Sequence, residues 1–460
     1  MRRLRISTII RLCLTSCVAI SFVGAYADDW PQWRGLNRDG VWHETGIIES
    51  FDGPQIEHKW RAEISNGYSG PTVADGRVYV TDHILEPVEM ERVLCFDEET
   101  GAPLWTHEYE CEYRVSYPDG PRASVTIEDG RAYSLGTMGH LRCLDAKTGE
   151  VLWQKDPGTD YNLRRPSFGI CAAPIVEGDL VIVQIGARDG GCIVAWDKRS
   201  GKERWRALDD SASYSAPIII EQMGRRVLVC WTGAHIAGLD PETGEVWWKL
   251  ETPPEKGVIN IATPVVEGDR MFLSSFYDGS YMLRVSQETL DVTTIWRRLG
   301  RSERRTDALH AINSTPIILG DYVYGVDSYG EFRCLDGATG DRIWEDLTAV
   351  PRDRWATIHM VRNHDRIWMF NELGELIITE LSPQGLRQIS RAQLISPSEG
   401  QYAGTFSRVL AAKAAEDDPR EGRSMFSKDQ GVTWSHPAFA NKHVFIRNDY
   451  QLICANLASD

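Results

Sequence analysis

No two cysteines are adjacent in this 460-residue chain, and no Cys-x-x-Cys pair occurs. Haem attachment, zinc binding and thiol redox exchange are therefore left without a motif. No lysine follows a glycine cradle, and the turns do not cluster carboxylates, so neither a phosphate loop nor a calcium loop is written in the chain. Positive charge is short: 50 Lys and Arg stand against 66 Asp and Glu, a net charge of −16. That balance argues against nucleic acid and anionic membrane surfaces as partners. The one strongly apolar run, Leu12 to Val23, is too short for a comfortable membrane span.

That run reads instead as part of a leader. Arg2, Arg3, Arg5 and Arg11 precede it or open it, and Ala25-Tyr26-Ala27 is a small-x-small cleavage site. Residues 1–27 are thus expected to be a signal peptide, and the protein to be exported to the periplasm or cell envelope. An apolar segment after Cys17 argues against lipidation there. Removing the leader removes four arginines and takes the net charge to −20. No transmembrane segment is expected in the mature chain, which should be a monomer.

What is present is a repeat. Asp, then Thr or Ser three residues on, Gly at four and Trp at eight, recurs five times. The copies are Asp97-Gly101-Trp105, Asp145-Gly149-Trp153, Asp197-Gly201-Trp205, Asp240-Gly244-Trp248 and Asp336-Gly340-Trp344. The first four Asp positions are 48, 52 and 43 residues apart, a period typical of stacked supersecondary units. The Asp carboxylate can fold back onto backbone N–H groups, and the Gly supplies the positive φ of a tight hairpin. The Trp returns on the next strand and offers a large apolar face to the neighbouring unit. A second element precedes each hairpin: a small residue, often Pro, an apolar triplet and an acidic-Gly turn, as in Ala173-Pro174-Ile175-Val176. Eight copies can be traced, which predicts an all-β, antiparallel chain of four-stranded units.

The eighth unit reaches Asp460 before an outer strand can form, while Ile56 to Arg61 is an unassigned strand bearing Trp60. That strand is expected to complete the last sheet and remove the open edge. The prediction is an eight-bladed β-propeller over 56–460, preceded by an N-terminal extension, 28–55, that lies across one face. A partly helical insertion, 392–432, separates blades 7 and 8, with a helical patch at Thr405 to Glu416. Eight cysteines follow the leader. Cys95, Cys143, Cys334 and Cys454 occupy equivalent places, two residues before a repeat Asp or, for Cys454, before Asn456, and should be small packing residues. Pairing among Cys111, Cys171, Cys192 and Cys230 stays open.

The Asp-x-x-Thr-Gly-x-x-x-Trp repeat, the count of eight and the borrowed strand resemble the pyrroloquinoline-quinone (PQQ) repeat propeller superfamily. It contains quinoprotein dehydrogenases and cofactor-free envelope scaffolds of the BamB type. The resemblance implies a ligand site, if any, at the axial mouth, lined by loops before the inner strands. Those loops carry Asn66, Tyr68, Tyr117, Arg164, Phe168, Asn260 and Arg354, and the set expected to bind a ligand or partner is Arg122, Arg165, Tyr214, His310, Asn313, Trp355, Trp434 and His436. Dehydrogenases of the family use a vicinal disulfide and a calcium held by acidic residues, and neither is written here. The expectation is therefore a non-enzymatic, BamB-like envelope scaffold that binds protein or peptide, with no catalytic residue, resident metal or cofactor. The alternative is a quinoprotein alcohol dehydrogenase of the polyvinyl-alcohol-like kind, with PQQ and Ca2+.

Overall fold

The computed structural model describes residues 28–398 and 431–459. The leader expected at 1–27 and most of the insertion expected at 392–432, its helical patch included, lie outside the described residues. Strands make eight separate four-stranded antiparallel sheets, and one short helix, Pro157–Asp160, is found among the described residues. We number these blades along the chain. Blades 1 to 4 run from Thr72–Ala74 to Pro103–Glu110, Thr126–Glu128 to Val151–Lys155, Ile175–Glu177 to Glu203–Ala207, and Ile218–Gln222 to Val246–Glu251. Blades 5 to 7 run from Val265–Glu267 to Val292–Arg298, Ile317–Leu319 to Arg342–Asp346, and Ile358–Asn363 to Gly385–Gln393. Blade 8 holds Ala438–Ala440, His443–Arg447 and Gln451–Asn456, and its fourth strand is Trp60–Glu63. Trp60 lies opposite Cys454 in that pairing.

The repeat is a lock between neighbouring blades. Asp97 Oδ1 accepts from the Thr100 amide at 2.9 Å and its hydroxyl at 2.7 Å, and the other copies repeat the bond. The Gly that follows sits at positive φ, between 66° and 76° in the five copies. Its bare α-carbon lets the Trp of the preceding blade lie flat on the turn: Trp60 on Gly101, Trp105 on Gly149, Trp153 on Gly201 and Trp205 on Gly244. A Cβ at Gly101 would sit 2.6 Å from the Trp60 ring. Each of these indoles also donates to a turn carbonyl, as Trp60 does to Glu98 O at 2.8 Å and Trp153 to Lys198 O at 3.1 Å. The first and last blades are therefore joined by the same contact as the interior ones.

Where the motif decays, other groups serve. Blade 5 has no Asp-Thr-Gly turn, and the Trp248 indole donates instead to Gln222 Oε1 at 2.9 Å. The amide of Gln222 in turn caps the blade 5 carbonyls of Ser286, Thr289 and Asp291. Cys95, Cys143, Cys334 and Cys454 face Trp105, Trp153, Trp344 and Trp60 across the outer hairpins, and all four are buried. A small side chain there leaves room for the indole, the packing role expected of them. The eight cysteines among the described residues are free thiols.

The N-terminal extension does not simply lie across a face, as the sequence suggested. It enters the axis. Trp30 and Trp42 are buried against Phe439, and Trp42 also meets Trp368 edge-on. Between them Arg38, 4% exposed, donates to Ala173 O, Pro174 O and Pro217 O at the entries of the inner strands of blades 3 and 4. Gln32 Oε1 takes its Nε at 2.8 Å. Those carbonyls point at the axis, where the sheets have no further strand to pair them, so a forked donor from elsewhere must satisfy them. Burial pulls the Arg38 pKa down to about 9, which leaves it a cation at neutral pH.

Candidate functional site

Above this plug lies a cavity of about 240 Å³. It is lined by residues that precede or open the first strand of every blade: Tyr68, Ser124, Cys171, Tyr214, Ile259, Asn313, His359 and His436, one from each in turn. A space touched by all eight blades is on the propeller axis. Trp33 of the plug forms its floor, donating to Thr263 Oγ1 at 2.8 Å and meeting the His436 ring edge-on at 4.5 Å. The result is a well closed at one end.

Its walls are aromatic. Tyr117 lies 5.8 Å from Trp355 and 6.2 Å from Trp434, and those two indoles are 6.3 Å apart at 75°. Tyr68 stacks on Trp434, and Phe168 packs on Tyr117 and Tyr214. Phe276 and Tyr277 complete the lining on the blade 5 side. Edge-to-face rings at these separations present both ring faces and edges to whatever enters.

The floor histidines are neutral. His436 Nε2 accepts from the Gly70 amide at 3.2 Å and pairs with Ser124 Oγ at 2.7 Å; His359 Nε2 faces Trp434 O at 2.9 Å. Burial pulls their pKa values from 6.5 to about 3 for His436 and about 4 for His359, and repulsion from His359 adds to the former. The sign follows from linkage. Below 6.5 the unfolded chain takes up protons that the folded one refuses, so stability is full above that value and falls as pH drops towards 4 and 3. We expect Tm to be flat from pH 8 to 7 and to decline between pH 6 and 4, and His359→Gln to flatten that decline. A wild-type Tm unchanged down to pH 4 would contradict the neutral pair.

Six of the eight residues chosen from sequence line the well: Arg122, Tyr214, Asn313, Trp355, Trp434 and His436. Two do not. Arg165 is exposed on the blade 3 entry loop, outside the lining. His310 is fully buried behind Phe276, with Nδ1 3.0 Å from Phe276 O and Nε2 accepting from Gly300 N at 3.2 Å, so it is a core histidine. Asn260 is likewise buried, its amide donating to Thr232 O. Trp33 and His359 were missed, the first because its contacts are with distant blades and the second because it lies on a strand, not in a mouth loop.

Arg122 is the one arginine among the described lining residues, and its guanidinium is already engaged. It donates to Gly120 O, to Tyr117 O and to Ser116 O at 3.0 Å, and stacks over Tyr68 at 4.9 Å. It holds the 116–120 loop in shape. No Asp or Glu is among the described lining residues. PQQ carries three carboxylates, and its calcium needs several oxygen ligands with negative charge. One committed arginine and no carboxylate do not fit that pair.

A family profile described as outer membrane protein assembly factor BamB matches residues 89–346. Two curated relatives are a quinohemoprotein alcohol dehydrogenase of Comamonas testosteroni, 24% identical over 44% of this chain, and the quinohemoprotein alcohol dehydrogenase ADH-IIG of Pseudomonas putida, 32% identical over 45%. In each case the match spans only 29% of the relative's length. The crystal structure of BamB from Moraxella catarrhalis superposes with a TM-score of 0.57 at 17% identity, covering 87% of this chain and 99% of that one. A europium-containing methanol dehydrogenase gives 0.64 at 13% identity, covering 94% and 98%. These two likenesses are of fold. With the profile spanning more than half of the sequence, the chain belongs to the PQQ-repeat β-propeller family described by BamB.

Proposed function

We propose that the protein is a non-enzymatic binding propeller of the cell envelope, which takes an aromatic or aliphatic side chain of a peptide partner into its axial well. The observation that carries this reading is the composition of the well: aromatic walls, a tryptophan floor, one arginine bound to backbone and no carboxylate among the described lining residues. A cavity of that kind gains affinity by desolvating an apolar group. Among the described lining residues the single arginine is already bound to backbone carbonyls, so no cation is held in reserve. The leader motif at 1–27 supports export, and the assembly-factor description of the family supports a protein partner in the envelope. No helix among the described residues is long and apolar enough to cross a membrane.

The test is a calorimetric titration with acetylated, amidated pentapeptides that differ only in a central Trp, Phe or Ala. The aromatic peptides should bind and the Ala peptide should not, and Trp355→Ala or Tyr117→Ala should weaken binding at least tenfold, an effect of about 1.4 kcal/mol or more. Arg165→Ala, outside the well, should leave affinity unchanged. Equal binding of all three peptides, or a loss on Arg165→Ala alone, would put the docking site elsewhere.

The second reading is a PQQ-dependent alcohol dehydrogenase. It is favoured by the quinohemoprotein alcohol dehydrogenases among the relatives and opposed by the donor set of the well.

A further inference from the structure

Away from the axis, at the outer junction of blades 1 and 2, Glu91, Cys111 and His140 bring their ligand atoms within 4.8 Å of one another. We propose that these three side chains form a zinc site, with Asp156 positioning the imidazole. The inference is independent of what the axial well binds.

Glu91 is the centre of the cluster. It is 1% exposed, and no Lys or Arg among the described residues lies within ion-pair distance of it. Instead its carboxylate accepts from the hydroxyls of Tyr109 and Tyr113 and, at 2.9 Å, from the Thr137 amide. Gly136 leaves the space that it fills, since a Cβ there would meet Glu91 Oε2 at 2.1 Å. A buried carboxylate without a counter-charge is costly, and a bound cation removes the cost. Hydrogen bonds to the outer lone pairs of a ligating carboxylate are what a metal centre uses to orient it.

The other two groups complete a set suited to zinc. Cys111 is 3% exposed, and its Sγ lies 3.6 Å from His140 Nδ1. Ligand atoms around a tetrahedral zinc, at roughly 2.0–2.3 Å from the ion, are spaced about 3.3–3.7 Å apart, so this pair needs little movement. The far nitrogen, Nε2, faces Asp156 Oδ2 at 3.8 Å, the carboxylate–histidine arrangement that fixes a metal-ligating imidazole. Asp156 is itself held at the start of the short helix by the Gly158 amide. Thiolate with imidazole favours zinc over calcium or magnesium. Charge balances as well. Zn2+ displaces the Cys111 proton to solvent, and thiolate plus carboxylate then neutralise the ion, with a fourth position left to water.

The experiment uses the whole mature chain, stripped with a chelator and titrated with Zn2+ by calorimetry in two buffers of different ionisation enthalpy, then with Co2+ by absorbance. One equivalent of Zn2+ should bind with release of about one proton, and Co2+ should give a thiolate charge-transfer band. Cys111→Ser should abolish the band, and Asp156→Asn, which keeps a side-chain oxygen for the Gly158 amide, should weaken Zn2+ binding 10- to 100-fold. Binding without a defined stoichiometry, a band that survives Cys111→Ser, or affinity unchanged in Asp156→Asn would each overturn the assignment.

Discussion

Arg38→Ala should destabilise the protein by roughly 3–5 kcal/mol, a large loss for a residue in an N-terminal extension. The guanidinium spans three inner-strand carbonyls, Ala173 O at 3.3 Å, Pro217 O at 3.1 Å and Pro174 O, and Thr126 Oγ1 shares only the last. Truncation leaves two oxygens buried without a donor, beside a void on the axis. Arg38→Lys should recover little, because a single ammonium cannot reach across two blades. Urea unfolding measures the loss. The same variant should weaken aromatic-peptide binding, because the floor residue Trp33 rests on this plug. A midpoint shift worth less than about 1 kcal/mol would mean that the extension is ornamental.

The second large effect is expected at Trp60. Trp60→Ala should cost about 3–5 kcal/mol, as truncation of a buried tryptophan does elsewhere. It removes the ring lying on Gly101, the 2.8 Å bond to Glu98 O and the contact with Phe445 at 5.9 Å. The comparison with Trp344→Ala is informative. Trp344 is only half-buried and joins blades 6 and 7 within one continuous stretch of chain. Trp60 joins the two ends of the propeller, where loss of the contact frees both termini. Proteolysis at low protease concentration should therefore cut first near residues 56–64 in Trp60→Ala, and not in Trp344→Ala. Equal cleavage patterns would contradict a special role for this junction.

Why some of this was legible beforehand is clear from particular residues. The blade turns announce themselves because each device is local: Asp145 bonds the amide of Thr148 three residues on, and the spacing survives in the sequence. Blade 5 hides the same lock, since Gln222 does by a side chain what the turn does elsewhere. The mouth loops were placed correctly as segments, but Arg122 and Arg165 look alike in sequence, and only the fold turns one inward. The plug was the largest omission. Arg38 meets partners 135 and 179 residues away, and nothing in Trp30 to Gly40 names them. Glu91, Cys111 and His140 come from two blades with no spacing signature, so no sequence motif could have brought them together.

The well holds the account together, and a quinone titration probes it most directly. Purified mature protein is mixed with PQQ and Ca2+, and binding is followed by calorimetry and by the cofactor's absorbance, with dye reduction by alcohols as a second channel. With one backbone-bound arginine and no carboxylate in the described lining, we predict no saturable binding at one equivalent and no dye reduction. Stoichiometric uptake of PQQ that is lost on Trp434→Ala would contradict the binding-protein reading and move the protein to the dehydrogenases.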